Sequence, residues 1–284
     1  MPWQEYKEEG FSASDNRDGD LTEQVQRTVM EDRICYKVAD KAGNLTVSYR
    51  DIPYDTGYRE ASGKDFPDID IDDPDADGKI VYLTFDDGPG EYTEQLLDTL
   101  DRYGVQVTFF VTGSFPTYQD MIKKEDAAGH SIGIHSLTHD FAKIYSSDKA
   151  FWKDIDRMQE IIKKQTGHTT NIMRFAGGTS NSISANYTPG IMTLLTKQAK
   201  QKGFQYFDWN ISSGDGGSGG DMDMVVTSII QELPHQDPCV VLCHDTKEYT
   251  VKAMEYIIPW LLDHGYELRP LQFDSEPVQH GVQN

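Results

Sequence analysis

The chain has 284 residues, of which 37% are hydrophobic and 11% aromatic, enough for one large domain and a small one. Its formal net charge of −21 at pH 7 argues strongly against a nucleic-acid partner, because phosphate binding needs a basic surface, and against an anionic membrane surface. No run of about 20 apolar residues predicts a membrane span, and the three cysteines are too few and odd in number for a disulfide framework.

Residues 1–62 are predicted to form a small β domain. Segments 34–39 and 45–54 have strand composition, the turn residues 40–44 between them predict a hairpin, and residues 15–20 predict an earlier turn. The runs SDNRDGDL (14–21) and YKVADKAGN (36–44) resemble part of the immunoglobulin-like repeats of bacterial surface proteins. The first strand of such a repeat is absent, so we expect the natural chain to continue upstream of Met1.

Residues 63–78 are predicted to be an acidic linker. Seven aspartates lie between positions 65 and 77, and like charges at that density resist packing. A calcium loop is the alternative, because Asp68, Asp70 and Asp72 alternate. The position that needs a turn glycine in such a loop holds Asp73, which favours the solvated linker.

Residues 79–272 alternate short apolar runs with helical periods. The runs are 80–85, 105–111, 131–135, 172–175, 204–209, 239–243 and 267–271, and spacings of three and four residues mark helices around 155–162 and 251–261. This alternation predicts a parallel α/β architecture, either a barrel or an open sheet, with chemistry where strands end and loops begin. Residues 273–284 show no period and are predicted to be a tail.

Two adjacent carboxylates, Asp86 and Asp87, end the first apolar run, and strand alternation predicts that they point in different directions. A cation on one would leave the other free as a base, although an exposed turn is the simpler alternative. His135 and His139 end the third run at a four-residue spacing that can aim two imidazoles at one metal, unless they belong to a His-rich loop. Two histidines and one aspartate form a three-ligand set that leaves a position open for water.

The later strand ends also carry reactive groups. Arg174 could hold a carboxylate bidentately, and Gly177 could present a backbone N–H to an oxyanion, although an ordinary turn is the alternative. Trp209 could line a sugar site or pack in the core. Asp208 and Asp215 are two possible carboxylate partners for a histidine, and His244 is a possible general acid. Cys243 lies inside an apolar strand and is expected to be an inert core residue.

Taken together, residues 79–272 resemble the polysaccharide deacetylase domain (carbohydrate esterase family four), shared by chitin, chitooligosaccharide and peptidoglycan deacetylases. The resemblance spans the family's motifs, and the run TFDDGP (84–89) is the most specific of them. It implies a distorted (β/α) barrel of about seven strands.

The resemblance also implies residue roles. Asp86 resembles the catalytic base and Arg174 the arginine that orients it. The implied ligands of a divalent metal, zinc in most members and cobalt, nickel or manganese as alternatives, are Asp87, His135 and His139.

The remaining implied roles concern proton donation and the acetyl group. His244 matches the catalytic acid, with Asp215 rather than Asp208 as its supporting carboxylate. Gly177 takes the place whose backbone N–H holds the oxyanion, and Trp209 and Leu242 would line the acetyl pocket.

The chain departs from the family pattern at three places. Many members have prolines at positions 175–176 and 140, and the glycine stretch 214–220 is looser than usual. The first two bear on the shape of the substrate cleft, and the third bears on the assignment of Asp215.

The implied reaction is metal-dependent removal of N-acetyl groups from an amino-sugar polysaccharide. The immunoglobulin-like segment favours an extracellular or cell-surface setting and peptidoglycan N-acetylglucosamine as the substrate. The first residues show neither a signal peptide nor an anchor. The alternatives are a chitooligosaccharide or acetylxylan deacetylase and a non-catalytic cell-wall-binding protein.

Overall fold

The computed structural model describes residues 10–29, 33–41, 45–51, 73–217 and 219–284. The chain divides into two compact units, Met1–Asp68 and Ile69–Asn284. Within the described residues, no helix combines the length and the apolar character needed to cross a membrane.

The first unit is built from short antiparallel strands. A two-stranded hairpin, β1 (Ser14–Asp15) and β2 (Gly19–Asp20), precedes a sheet of β3 (Gln26–Val29), β4 (Arg33–Ala39) and β5 (Leu45–Asp51) in the order β3-β4-β5. The predicted turn at 15–20 and the pairing of the two predicted strands are therefore confirmed, while residues 42–44 and 52–54 lie outside the described residues. The immunoglobulin-like assignment stays a prediction.

The second unit is organised around one parallel sheet. Its strands are β6 (Ile80–Asp86), β7 (Thr108–Thr112), β8 (Ser131–Ser136), β9 (Ile172–Met173), β10 (Gln205–Tyr206), β11 (Ile211–Ser212), β12 (Cys239–His244) and β13 (Glu267–Leu268). Seven follow the order β10-β9-β8-β7-β6-β12-β11, and β13 pairs with the start of β6. The predicted parallel α/β fold is confirmed, as an open half-barrel.

Helices connect these strands. They are α1 (Thr93–Tyr103), α2 (Met121–Ala127), α3 (Phe141–Ile144), α4 (Asp148–Thr166), α5 (Ile191–Gln201), α6 (Met222–Glu232) and α7 (Glu248–Asp263). Both helices predicted from periodicity, α4 and α7, are present. In α4 the residues Ile155, Met158 and Ile162 are buried, and the hydroxyl of Ser147 caps the helix by accepting from the backbone N–H of Ala150.

Several strands differ from their predicted lengths. The run 105–111 forms a strand only from Thr108; at Val107 the carbonyl accepts from the backbone N–H of Ser131, whereas the N–H donates to the His130 ring. The runs 172–175, 204–209 and 267–271 each contribute only two paired residues, and β11 was not predicted because two residues carry no period.

The sheet brings its carboxyl ends to one edge, as the parallel direction requires. In the ladder between β6 and β12, Asp86 is the register partner of His244, and on the other side Asp86 faces Phe110 of β7. The strand β6 is buried on both faces, since the adjacent residues Leu83 and Thr84, which point to opposite faces, are both at 0% exposure; this is typical of a sheet covered by helices.

The prediction of a solvated linker is wrong for its last residues. The Asp73 side chain is 5% exposed, and its Oδ2 lies 3.0 Å from Lys79 Nζ and 2.7 Å from the Tyr266 hydroxyl. The backbone N–H of Gly78 donates to the Gly265 carbonyl at 2.9 Å. Partners elsewhere in the second unit thus offset the charge, whereas residues 63–72, with the calcium-loop aspartates, lie outside the described residues.

The prediction of a tail at 273–284 is also wrong. The side chain of Val278 packs against a core cluster that contains Phe207, and the Val278 carbonyl accepts from the backbone N–H of Asp208 at 2.8 Å. The segment shows no period because it hydrogen-bonds to irregular loops rather than to a helix or strand. Residues 278–284 are called the C-terminal strap below.

Candidate active site

Asp86 and Asp87 both face one centre, contrary to the prediction that they point apart. The strand ends at Asp86, and Asp87 adopts a left-handed backbone conformation with φ 75°. That turn carries its carboxylate back, so Asp87 Oδ1 lies 3.6 Å and Asp86 Oδ2 3.7 Å from Nε2 of His135. Non-glycine residues rarely take this conformation, and the surroundings must hold it. The hydroxyl of Thr112 helps by donating to the Asp87 carbonyl at 2.7 Å.

Asp87, His135 and His139 form a group able to hold a metal ion. One ligand atom from each lies within 4.8 Å of the others. His139 Nε2 is 3.5 Å from Asp87 Oδ1, and His139 also has a positive φ of 47°. Burial and the neighbouring His135 lower the pKa of His139 despite the two aspartates, so its neutral, metal-binding form is favoured.

The orientation of the His135 ring is fixed by a hydrogen bond on the nitrogen that faces away from the centre. Its Nδ1 lies 2.9 Å from the carbonyl oxygen of Arg174. A carbonyl can only accept, so Nδ1 carries the hydrogen and the Nε2 lone pair faces the centre. The loop to His139 is held in turn by Ser136, whose hydroxyl accepts from the His139 backbone N–H at 2.7 Å and donates to the buried Asp154 at 3.0 Å.

The donor set fits a divalent cation. Among the described residues, Asp87 Oδ1 is a buried oxygen with no hydrogen-bond partner, which is costly unless a cation faces it. Two imidazole nitrogens and one carboxylate oxygen are the donors of catalytic zinc sites, which keep one position open. The group therefore suits a catalytic rather than a closed structural metal.

Arg174 is fully buried and anchors Asp86. Its Nη1 donates to Asp86 Oδ1 at 2.9 Å and to the Thr84 hydroxyl at 2.7 Å. The other donors go to carbonyl oxygens, from Nε to Phe207 and from Nη2 to Asp208. The contact with Asp86 is thus a single hydrogen bond rather than the bidentate pair considered from the sequence, because three of the partners are not carboxylates.

His244 also lies next to Asp87. Its Nε2 is 3.9 Å from Asp87 Oδ2, and its Nδ1 is 2.7 Å from Asp215 Oδ1. Burial lowers the pKa of His244, but the hydrogen bond and charge of Asp215 outweigh it and raise the value to about 9. Burial alone would raise the pKa of Asp215, and the same hydrogen bond makes it lower than usual. The pair can therefore hold a protonated imidazole.

Gly177 lies in the turn that follows Arg174, next to Phe141. It has φ 77°, and a Cβ there would lie 2.9 Å from Cζ of Phe141, so both the conformation and the space favour glycine. Phe141 also lies against the His139 ring, with centroids 5.6 Å apart. Phe141 thus separates the metal-binding His139 from the Gly177 turn, a role that no motif or period of the sequence predicts.

Trp209 and Leu242 are both half-buried at this edge. The indole of Trp209 packs against Gly178, whose added Cβ would meet Trp209 Cη2 at 2.9 Å. Asp208 lies away from His244: its Oδ1 accepts from the backbone N–H of Thr179 at 2.9 Å. Asp208 therefore serves the loop after Gly178, and it is Asp215 that contacts the histidine.

A further buried acid next to the site, Asp245, was not predicted. It is fully buried, and its carboxylate leaves no room at Gly88, where a Cβ would lie 2.0 Å from Oδ2. Oδ2 also accepts from the Thr93 hydroxyl at 2.5 Å. Burial, with the charge of Asp87, raises the pKa of Asp245 to about 7. The turn that follows Asp87 is therefore packed on this side chain.

The two described thiols are not part of the site chemistry. Cys239 and Cys243 are free and buried in β12. Burial raises the pKa of Cys239 to about 12 and that of Cys243 well above its usual value, so both stay protonated and unreactive.

Several known proteins are similar to this chain in sequence and in fold. The family model described as "Polysaccharide deacetylase" matches residues 73–191. A peptidoglycan-N-acetylglucosamine deacetylase of Bacillus cereus is 32% identical over 205 residues, which cover 69% of this chain and 71% of that protein. A chitooligosaccharide deacetylase of a Bradyrhizobium species is 28% identical over 212 residues, 68% of this chain and 89% of that protein.

Among solved structures, the catalytic domain of a peptidoglycan N-acetylglucosamine deacetylase from Eubacterium rectale superposes with a TM-score of 0.72 at 46% identity. The match covers 77% of this chain and all of that chain. The likeness therefore spans the parallel sheet with its helices.

Proposed function

The chain belongs to the polysaccharide deacetylase family, and from that premise we propose that it is a metal-dependent hydrolase that removes N-acetyl groups from an amino-sugar polysaccharide. One observation carries the proposal: Asp86 and His244 flank the group formed by Asp87, His135 and His139. A base, an open metal position and an acid around one centre are what amide hydrolysis requires.

Asp87, His135 and His139 are the proposed ligands of the divalent metal, with zinc favoured by the nitrogen and oxygen donors. Such a cation, when bound, lowers the pKa of a water molecule and polarises a carbonyl group. Cobalt, nickel and manganese are alternatives, since affinity in such sites follows geometry and availability.

Asp86 is the proposed general base. Its hydrogen bond from Arg174 holds the carboxylate toward the centre, where it can take a proton from the attacking water. Arg174 is fully buried, so the pair works in a low-dielectric setting in which the charge-assisted bond is strong.

Other residues around the centre are proposed to stabilise the oxyanion and to protonate the leaving group. The backbone N–H of Gly177 is the proposed donor to the oxyanion, and Trp209 and Leu242 are the proposed lining of the acetyl pocket. His244, held as imidazolium by Asp215, is the proposed donor of the proton to the leaving amine. Acetate and a free amino sugar are then the products.

Peptidoglycan N-acetylglucosamine is the proposed substrate, because relatives at 32% and 46% identity are described as deacetylases of that sugar. Chitooligosaccharide is the second candidate, favoured by the Bradyrhizobium relative. An extracellular or cell-surface location goes with either polymer, and the immunoglobulin-like reading of residues 1–62 supports it.

The test is acetate release from peptidoglycan, acetylated glucosamine oligomers and acetylxylan by the zinc-loaded protein, with Asp86→Asn as the inactive control. We expect release from the first two substrates and none from xylan. Preferential acetate release from acetylxylan would show that the enzyme hydrolyses an ester rather than the proposed amide. No release from any of them by protein that binds zinc would leave only the non-catalytic, cell-wall-binding alternative.

A further inference from the structure

The C-terminal strap runs beside the chain that follows β10. The backbone N–H of Asp208 donates to the Val278 carbonyl at 2.8 Å, and the Gln279 amide donates to the Tyr206 carbonyl at 3.1 Å. Val278 itself is packed into the core cluster. These contacts fix the strap where the chain leaves the sheet for the candidate site.

His280 of the strap holds the Trp209 residue directly. Its Nε2 lies 2.6 Å from the Trp209 carbonyl oxygen, so Nε2 must carry a hydrogen. The other ring nitrogen, Nδ1, lies 3.0 Å from the Ser180 hydroxyl and accepts from it in the neutral ring. The imidazole also meets the indole edge-on, with centroids 4.8 Å apart and planes at 76°.

A buried carboxylate joins the same three pieces of chain. Asp208 is fully buried, and its Oδ2 accepts from the His280 backbone N–H at 2.9 Å and from the Thr179 hydroxyl. Its Oδ1 accepts from the Thr179 backbone N–H at 2.9 Å. A charge-assisted network that is satisfied on both oxygens holds its members in one arrangement.

The pieces so joined form two walls of the candidate site. Thr179 and Ser180 directly follow the Gly177–Gly178 turn, and Trp209 directly follows Asp208. The turn and the indole touch, since a Cβ on Gly178 would lie 2.9 Å from Trp209 Cη2. The far end of the strap binds the start of α5, because Asn284 accepts from the backbone N–H groups of Gly190 and Thr193.

We propose that His280 is a positioning residue that sets the Gly177–Gly178 turn against Trp209 and so shapes the acetyl pocket. The inference rests on the proposed function of that pocket. The contacts of His280 are to Thr179, Ser180, Asp208 and Trp209. None of these residues is a proposed metal ligand, so the loss of His280 should disturb substrate handling and leave metal binding intact.

His280→Ala and His280→Gln test the proposal, with His264→Ala as a matched control. His264 follows the last turn of α7, and it too contacts a tryptophan carbonyl, with Nδ1 2.7 Å from Trp260 O and stacked rings 3.7 Å apart. We expect His280→Ala to lower kcat/KM for acetate release about tenfold, less than the roughly 10²-fold cost of a 1 Å misplacement in an active site. His280→Gln, which keeps a donor for the Trp209 carbonyl, should recover part of this loss, and His264→Ala should match the unaltered protein.

Two readouts separate this inference from the proposed function. Zinc affinity should not change in His280→Ala, while hydrogen exchange at the amides of 177–181 and 208–210 should speed up in that variant and stay unchanged in His264→Ala. If the unaltered protein releases no acetate, the proposed function fails, whereas the exchange data still show whether His280 holds the two walls. Unchanged kinetics in His280→Ala, with or without faster exchange, would overturn its positioning role in the reaction.

Discussion

Asp215 accepts two hydrogen bonds from His244, one on each carboxylate oxygen. Oδ1 lies 2.7 Å from the ring Nδ1 and Oδ2 lies 2.8 Å from the backbone N. The side chain and main chain of the histidine are thus oriented by the same group, which fixes Nδ1 as a donor and leaves Nε2 toward the centre.

Replacement of Asp215 by Asn should lower kcat by about 10² while zinc affinity stays within a few-fold, because the imidazolium loses its charge partner. Thr250→Val is the matched control: the Thr250 hydroxyl donates to Asp215 Oδ2 at 2.8 Å, so its removal leaves the pair with His244 in place. Steady-state acetate release and zinc titration are the measurements. Equal kinetics in the two variants would remove Asp215 from the mechanism.

Asp86→Asn should abolish turnover and retain the metal. The amide oxygen of the asparagine can still accept from Arg174, but the side chain cannot take a proton from water. Removal of a general base lowers the rate by a factor of about 10² to 10⁴. Metal content per chain and acetate release are measured on the same preparation. Activity near that of the unaltered protein would contradict the role of Asp86.

Chelation should abolish acetate release, and added zinc should restore it, if the three-ligand group holds the metal. His139→Ala should weaken zinc binding by at least about tenfold, since one of three ligands is lost. His168→Ala is the control, because His168 pairs with Asp126 at 2.8 Å at an exposed site. Equal zinc affinity in the two variants would mean that the metal binds elsewhere.

Gly88→Ala should destabilise the fold by about 3 kcal/mol and weaken zinc binding, because the new Cβ meets a buried carboxylate that cannot leave. Three Asp245 atoms would lie 2.0 to 2.4 Å from it. Gly217→Ala, where nothing lies within 4 Å, is the control. In the double variant Gly88→Ala/Asp245→Ala the two costs should not add, and additive costs in urea unfolding would show that the contact is unimportant.

His130 should make stability fall in mild acid. Burial lowers its pKa from 6.5 to about 4, and Nδ1 accepts from the Val107 backbone N–H, so the folded state keeps the ring neutral. Below pH 6.5 His130 binds a proton in the unfolded chain but stays neutral in the folded chain. The contribution of His130 to the free energy of unfolding is therefore complete above pH 6.5 and is lost as the pH falls to about 4, a decrease of about 3 kcal/mol.

The check is urea unfolding between pH 7.5 and 4.5. His130→Asn keeps an acceptor near Val107 but cannot titrate, so its pH dependence should be flatter than that of the unaltered protein. His168→Asn, which changes an exposed histidine, should leave the slope as it was. A slope that His130→Asn does not alter would assign the acid sensitivity to other groups.

Much of the fold was predictable because each buried parallel strand is a continuous apolar run followed by polar groups. The same pattern identified Asp86, Asp87 and His135, since strand ends of a parallel sheet share one edge. The direction of Asp87 was not predictable from alternation, because the strand ends at Asp86 and the left-handed conformation of Asp87 turns its own side chain back toward the centre.

The residues that hold the site residues in place could not be predicted from the sequence, for a different reason. Asp154, Asp245 and His280 act through contacts made across 17, 152 and 71 positions of the chain, to Leu137, Thr93 and Trp209. No local period or composition records such pairings. The strap is the clearest case, because a segment without a period has the same sequence appearance whether it is packed or free.

The pairing of β6 with β12 has a consequence for how such a protein can change. Asp86 and His244 stand side by side on neighbouring strands, so main-chain hydrogen bonds fix the spacing of the proposed proton acceptor and proton donor. Loops around the edge can then be exchanged, lengthened or redesigned without moving that pair. A slip of one residue between the two strands, by contrast, would turn one of the side chains to the other face and end the chemistry at once.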